Sequence, residues 1–329
     1  ARERAGFWLR RLQRNKRVPD EVLSFLQDVQ LEPRRALAEV SRDAAPPAIA
    51  AVFDWIDQQA HRPIPELEWS LVEASSDDSA LQHAYEPLLT PGEDALIGQW
   101  QSHTQLNKPF SVQWMSGDEA EAWQRSDDWL PWLTSHPEAL DSFEILDDVI
   151  TLLFVGEELA GLIENWWAEQ LINRSVQMLL DHWPEERAGT LPWVITENRP
   201  ALRILTKAIM QREDPDELGS LVRAYLRLNP GDNHGFRAML INELLQAGQD
   251  AEALRLAQRY GDDGMAEIVY GRVLALFRTG RRGEAINALT DAAEDLPLVL
   301  DYLVRDRVAE PRIDPTGVTL GGKDEAWLY

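Results

Sequence analysis

Two passages of this sequence repeat each other, and their spacing leaves few folds open. Gly248 is followed five residues later by Ala253; thirty-two residues on, Gly280 is followed five residues later by Ala285. Apolar residues at helical spacing flank each turn. Phe236, Met239, Leu240 and Leu244 precede the first, and Ala266, Val269, Val273, Leu274 and Phe277 precede the second. After them come Ala253, Leu254, Leu256 and Ala257, then Ala285, Ala288, Leu289 and Ala292. Glycine permits a tight turn, and alanine lets antiparallel helices approach closely. Pro297 stops the last helix as Pro230 stops an earlier one over 218–228. A period in the low thirties with these features predicts helix–turn–helix units that bury their faces by stacking.

On these residues, 200–297 resembles degenerate tetratricopeptide repeats, two copies and a weaker preceding one. Ala253 and Ala285 take the small position of the second helix, Ala292 the later small one, and Pro297 the terminal proline. Ile241 and Val273 stand where that family usually has Gly or Ala, and the period is 32 instead of about 34. The run 228–237 (LNPGDNHGFR), together with 321–326 (GGKDEA), is similar to the tetratricopeptide-like segment of proteins related to the suppression-of-tumorigenicity-7 family. That similarity covers roughly the last 130 residues. It implies a scaffold and brings no catalytic residues with it.

Upstream, 2–14, 20–31, a short stretch from Pro33 and another from Pro47 read as helices, up to a break at Arg62-Pro63-Ile64-Pro65. Segments 67–72 and 110–114 alternate partly with period two, as short strands or turns would. Residues 118–125 and 127–133 read as short helices with acidic starts, and 142–154 and 158–183 as long ones. The expected fold is all-α, a helical array with a few short strands in the middle. Four regions are expected: 1–62 helical, 63–199 acidic and Trp-rich, 200–297 repeats, and a 298–329 extension in which Gly321-Gly322-Lys323 turns into a helix begun by Asp324.

Charge divides the chain unevenly. Of a net −24, residues 1–42 contribute +4, 43–165 contribute −21 and 166–329 contribute −7. No Lys or Arg occurs between Arg62 and Lys108, or between Arg125 and Arg174. Such a field repels phosphate and anionic lipid, which argues against direct nucleic-acid or membrane binding, and it steers basic partners in. Ten of the thirteen tryptophans lie between Trp69 and Trp193, so the acidic region is folded, with Trp chiefly as core filling. The strongest apolar run, 149–156, is far short of the roughly 20 residues a membrane span requires, and no leader pattern opens the chain. The first residue is Ala instead of Met, which reads as a trimmed start, and a cytoplasmic protein is the expectation.

Chemistry-bearing patterns are scarce. There is no Cys, which removes thiolate metal sites and Cys nucleophiles. No two of the six histidines fall at i,i+3 or i,i+4. His234 reads as closing the 229–237 turn by hydrogen bonding. Adjacent carboxylates such as Asp127-Asp128 point to different helix faces and serve best as caps or exposed charge. No nucleotide-binding glycine loop is present, and neither cofactor nor metal is expected. The function expected is an adaptor that receives a basic protein or peptide, with its oligomeric state left open. Candidate contacts are Asp141, Glu144, Asp147 and Asp148, with exposed Trp, and the repeat residues Asn233, Arg237 and Asn242. The rivals are a carboxylate-dependent hydrolase in the Trp-rich region and an acidic mimic of nucleic acid.

Overall fold

The computed structural model describes residues 9, 12, 19–45, 47–72, 83–106, 119–160, 166–183, 188–212, 214–312 and 318–329. Among them are sixteen α-helices and a single two-stranded sheet, so the fold is an all-α helical array. None of these helices is long and apolar enough to cross a membrane. The segments 2–14 and 110–114 lie outside the described residues, apart from isolated positions. The chain forms two compact units, Ala1–Gln211 and Arg212–Tyr329.

The first unit opens with α1 (Asp20–Leu31), α2 (Pro33–Ala44) and α3 (Pro47–Ala60). Proline opens α2 and α3, where its missing N–H costs nothing. β1 (Trp69–Leu71) pairs antiparallel with β2 (Tyr85–Pro87) in the register Trp69↔Pro87 and Leu71↔Tyr85. Then come α4 (Pro91–Thr104), α5 (Glu119–Gln124), α6 (Ser126–Ser135), a 3-10 turn (Pro137–Asp141), α7 (Phe143–Ala160), α8 (Trp166–His182) and α9 (Arg199–Met210). Thr90 caps α4 by accepting from Glu93 N at 3.1 Å.

α7 is the central rod of this unit, packed against α5, α8 and α9. That position explains its apolar run: Ile145, Leu146, Val149, Ile150 and Leu152 are all buried. Each such side chain withdrawn from water contributes roughly 1.5–3 kcal/mol. The tryptophans fill the gaps between irregularly crossing helices. Trp100 stands edge-on to Trp129, with ring centroids 5.9 Å apart, and Trp129 edge-on to Trp123 at 5.1 Å. α9 lies on α7 and α8, so the first helix after residue 199 belongs to the first unit and not to the repeats.

The second unit contains α10 (Pro215–Leu228), α11 (Phe236–Gln246), α12 (Asp250–Arg259), α13 (Ala266–Arg278), α14 (Arg282–Asp295), α15 (Pro297–Leu303) and α16 (Lys323–Leu328). α11–α12 and α13–α14 are successive helical hairpins, with α13 packed on both α11 and α12. Their turns are the same hydrogen-bonded object. Gln249 N donates to Leu244 O at 2.8 Å and Gly248 N to Leu245 O at 3.2 Å. In the second turn Arg281 N donates to Leu276 O at 2.9 Å and Gly280 N to Phe277 O at 3.1 Å. Both glycines are left-handed, with φ of 71° and 81°, as this helix-ending motif demands.

Alanine fills the crossings as expected: Ala253, Ala257, Ala285, Ala288 and Ala292 are buried. α16 returns to close one end, where Glu325 Oε1 accepts from Ala266 N, the first N–H of α13, at 2.9 Å.

Candidate functional site

Of the acidic residues singled out on and beside α7, three turn inward, Asp147 and Asp148 on the helix and Asp141 just before it. Asp147 is 3% exposed. Its Oδ2 accepts from Arg203 Nε at 2.6 Å and its Oδ1 from Lys207 Nζ at 2.6 Å. Lys207 Nζ also reaches Thr151 Oγ1 at 2.7 Å. Two helices thus meet through complementary charged ridges, Asp147 and Thr151 on α7 against Arg203 and Lys207 on α9, each pair four residues apart. Burial holds the Lys207 ammonium below the usual lysine range, with Asp147 opposing that shift.

Asp148 is also buried and accepts from Trp100 Nε1 at 2.9 Å. Asp141, before α7, is clamped by Arg62 and by Arg174 Nη2, the latter at 2.7 Å. Arg174 Nη1 donates to Arg62 O at 2.6 Å and Nη2 to Pro63 O at 3.3 Å. Glu144 is half-buried and lies close enough to Arg203 to act on its charge. Asp141, Asp147 and Asp148 are therefore internal ties. The physical reason is that every residue of α7 from Ile145 to Leu153 is buried, which a run of charges read alone does not reveal.

The candidate tryptophans need the same correction, since no described Trp is exposed. Two of their indole N–H groups are anchored inward, Trp123 on Leu152 O and Trp129 on Ala122 O, each at 2.8 Å.

The cations of the first unit complete the pattern. Between residues 43 and 211 six basic side chains are described: Arg62, Arg125, Arg174, Arg199, Arg203 and Lys207. None is exposed. Arg125 donates to Thr104 O at 2.6 Å, and Arg199 donates to Trp193 O at 3.0 Å while lying over that indole. Asp94, Glu121, Asp127, Asp128 and Glu138 are exposed. They sit on α4, α5, α6 and the 3-10 turn. The turn packs against α4 and α6, α4 packs on α6, and α5 packs on α6. Between residues 43 and 211 the described bases point in, while these five acids point out. The signal for the inward bases was in the sequence: Arg203 and Lys207 interrupt an otherwise apolar helix at i,i+4.

In the second unit Arg237 is tied to Asp232 at 2.9 Å and to Asp263, and it lies over the Tyr260 ring. Asn233 accepts from Asn229 Nδ2 at 3.3 Å, and the Tyr225 hydroxyl lies 2.5 Å from His234 Nδ1. The buried Asp232 accepts from Phe236 N and Arg237 N at 2.9 and 2.8 Å, fixing the entry to α11. The 229–237 run is thus a self-satisfied turn, with His234 inside it. Asn242 is half-buried on α11.

Among the described residues no three His, Asp or Glu side chains converge to hold a metal ion. The carboxyls of Asp57 and Glu93 are raised by burial. No known family model matches the chain, and no characterised protein or solved structure matches it either.

Proposed function

We propose that this chain is a protein-interaction scaffold whose first unit receives a basic protein or peptide on its outer face, and whose second unit is a tetratricopeptide-like array. The observation that carries the first part is the inward placement of every described cation between residues 43 and 211, with Asp94, Glu121, Asp127, Asp128 and Glu138 left outside. A surface negative charge that is not neutralised locally projects into solvent over about 10 Å at 0.1 M salt and raises the encounter rate with a basic partner. Support for the second part comes from the paired glycine turns, the buried alanines and the stacking of α13 on the preceding hairpin.

The test is capture at low salt with elution by a salt gradient. The expected result is a basic protein retained by the native chain and released over a narrow salt range, with retention lost in the variant Asp94→Lys, Asp127→Lys, Asp128→Lys, Glu138→Lys. These four positions are exposed, so the variant keeps the fold. Retention unchanged by the four reversals, or no basic protein retained at all, overturns the proposal.

A further inference from the structure

Comparing the two hairpins of the second unit position by position locates an uncovered face. With the left-handed glycines as anchor, residue n of α11–α12 corresponds to n + 32 of α13–α14. Leu254 is 6% exposed and its counterpart Ile286 is 65% exposed; Leu245 is 7% exposed and Phe277 56%. Both positions are apolar in both hairpins, so what differs is the cover. α13 covers the first hairpin, coming so near that a Cβ on Gly271 would stand 2.7 Å from Ile241 Cγ2. Among the described residues no helix covers α13 and α14 in that way. Leu303 of α15 and Tyr329 wall one side only, leaving an apolar groove of about 800 Å³ that includes Phe277, Ile286 and Leu289.

At the turn end of this groove the charge has changed sign. Arg278, the last residue of α13, donates to Leu245 O at 2.8 Å and to Asp250 Oδ1 at 3.3 Å. Asp250 opens α12. The residue that opens α14 in its place is Arg282, which lies over the Phe277 ring at 5.8 Å and has no ion pair among the described residues. Whatever fills the second groove as α13 fills the first meets a cation where α13 meets an anion.

We infer that the α13–α14 groove docks an amphipathic helix of a partner protein, one carrying a carboxylate that pairs with Arg282 and a small residue two turns before it. The quasi-equivalence of the two hairpins sets the shape of the occupant, and the Asp250-to-Arg282 exchange sets its charge. This surface uses residues of the second unit alone and does not depend on the acidic face.

The probe is a synthetic peptide of residues 266–279, the helix that fills the first groove, made once with Arg278 and once with Arg278→Glu. Both are labelled and titrated into the full chain by fluorescence anisotropy. The Glu peptide is expected to bind about tenfold more tightly than the Arg peptide, the range of one charge-assisted contact. Arg282→Glu in the chain is expected to reverse that order. Ile286→Asp, at an exposed position that leaves the melting curve unchanged, is expected to remove binding of both. The inference is overturned if neither peptide binds, if binding survives Ile286→Asp, or if the two peptides bind equally to the native chain. A dimer seen by sedimentation and lost in Ile286→Asp also overturns it, by assigning the groove to a second copy.

Discussion

Twelve of the thirteen tryptophans fall in the first unit and five of the six tyrosines in the second, and the split follows how each unit closes its core. Irregularly crossing helices leave gaps of unequal shape, which a large indole fills, and the N–H of Trp100 also ties its ring to Asp148. Stacked hairpins leave the same narrow gap again and again, which alanine fits. Their tyrosines bridge the ends, Tyr270 donating to Ala292 O at 3.1 Å and to Leu296 O at 3.0 Å. The first unit is specified by one-off polar ties and the second by repetition. Because Trp327 is the single tryptophan of the second unit, indole fluorescence follows the first unit while far-ultraviolet dichroism follows both.

That optical separation allows the comparison to be attacked. The largest effect is expected from Asp147→Ala, which strands Lys207 and Arg203 between α7 and α9. Breaking such a buried pair costs about 3–5 kcal/mol. Denaturant unfolding followed by indole fluorescence should shift by that amount, while the second-unit part of the dichroism transition stays in place. Equal shifts of both signals would mean that the units do not melt separately.

Alkaline pH should divide the units next. Burial raises the hydroxyls of Tyr225 and Tyr260, and pushes that of Tyr329 up to about 12. A raised tyrosine stabilises the fold fully below pH 10 and less as pH climbs toward its folded value. Lys207 has the opposite sign, since its buried charge opposes folding at neutral pH and is relieved as pH rises toward 10.5. Between pH 10 and 12 the second unit is therefore expected to lose stability, and the fluorescence transition to hold or rise. A fluorescence transition that falls first would break the assignment.

The smallest effect is expected from Gly248→Ala and Gly280→Ala, made singly. A Cβ meets no atom within 4 Å at either position, so the cost is that of a left-handed alanine, about 1–2 kcal/mol. Equivalent turns predict equal losses, and unequal ones would show that the second hairpin is not a copy of the first.

How much of this is legible in the sequence depends on the same difference. Gly248, Gly280 and the alanine stripes carry a local rule, so α11 to α14 can be read, turns included, from the order of residues alone. The weaker preceding copy cannot: α9 has repeat-like spacing, but Arg203 and Lys207 bind it to α7. A string of acids such as Asp141, Glu144, Asp147 and Asp148 has a helical period without a sign for inside or outside. Only the groups that face it, from 33 to 79 residues away along the chain, decide that. The groove end is hidden for another reason, because Ile286 and Leu289 have the spacing of a buried stripe whether or not anything lies on them.

The shared turn geometry also bears on how the protein comes apart. In a linear array each hairpin holds its own stability plus that of the interfaces it shares, and α13–α14 shares its stacking face with one hairpin only. Its outer helix α14 therefore belongs to the low end of the ladder of local opening energies, and proteases should find their first cut there. A bound helix present at a hundred times its dissociation constant would add about 2.7 kcal/mol to that rung. Occupancy of the groove would then be readable as the lifetime of the chain.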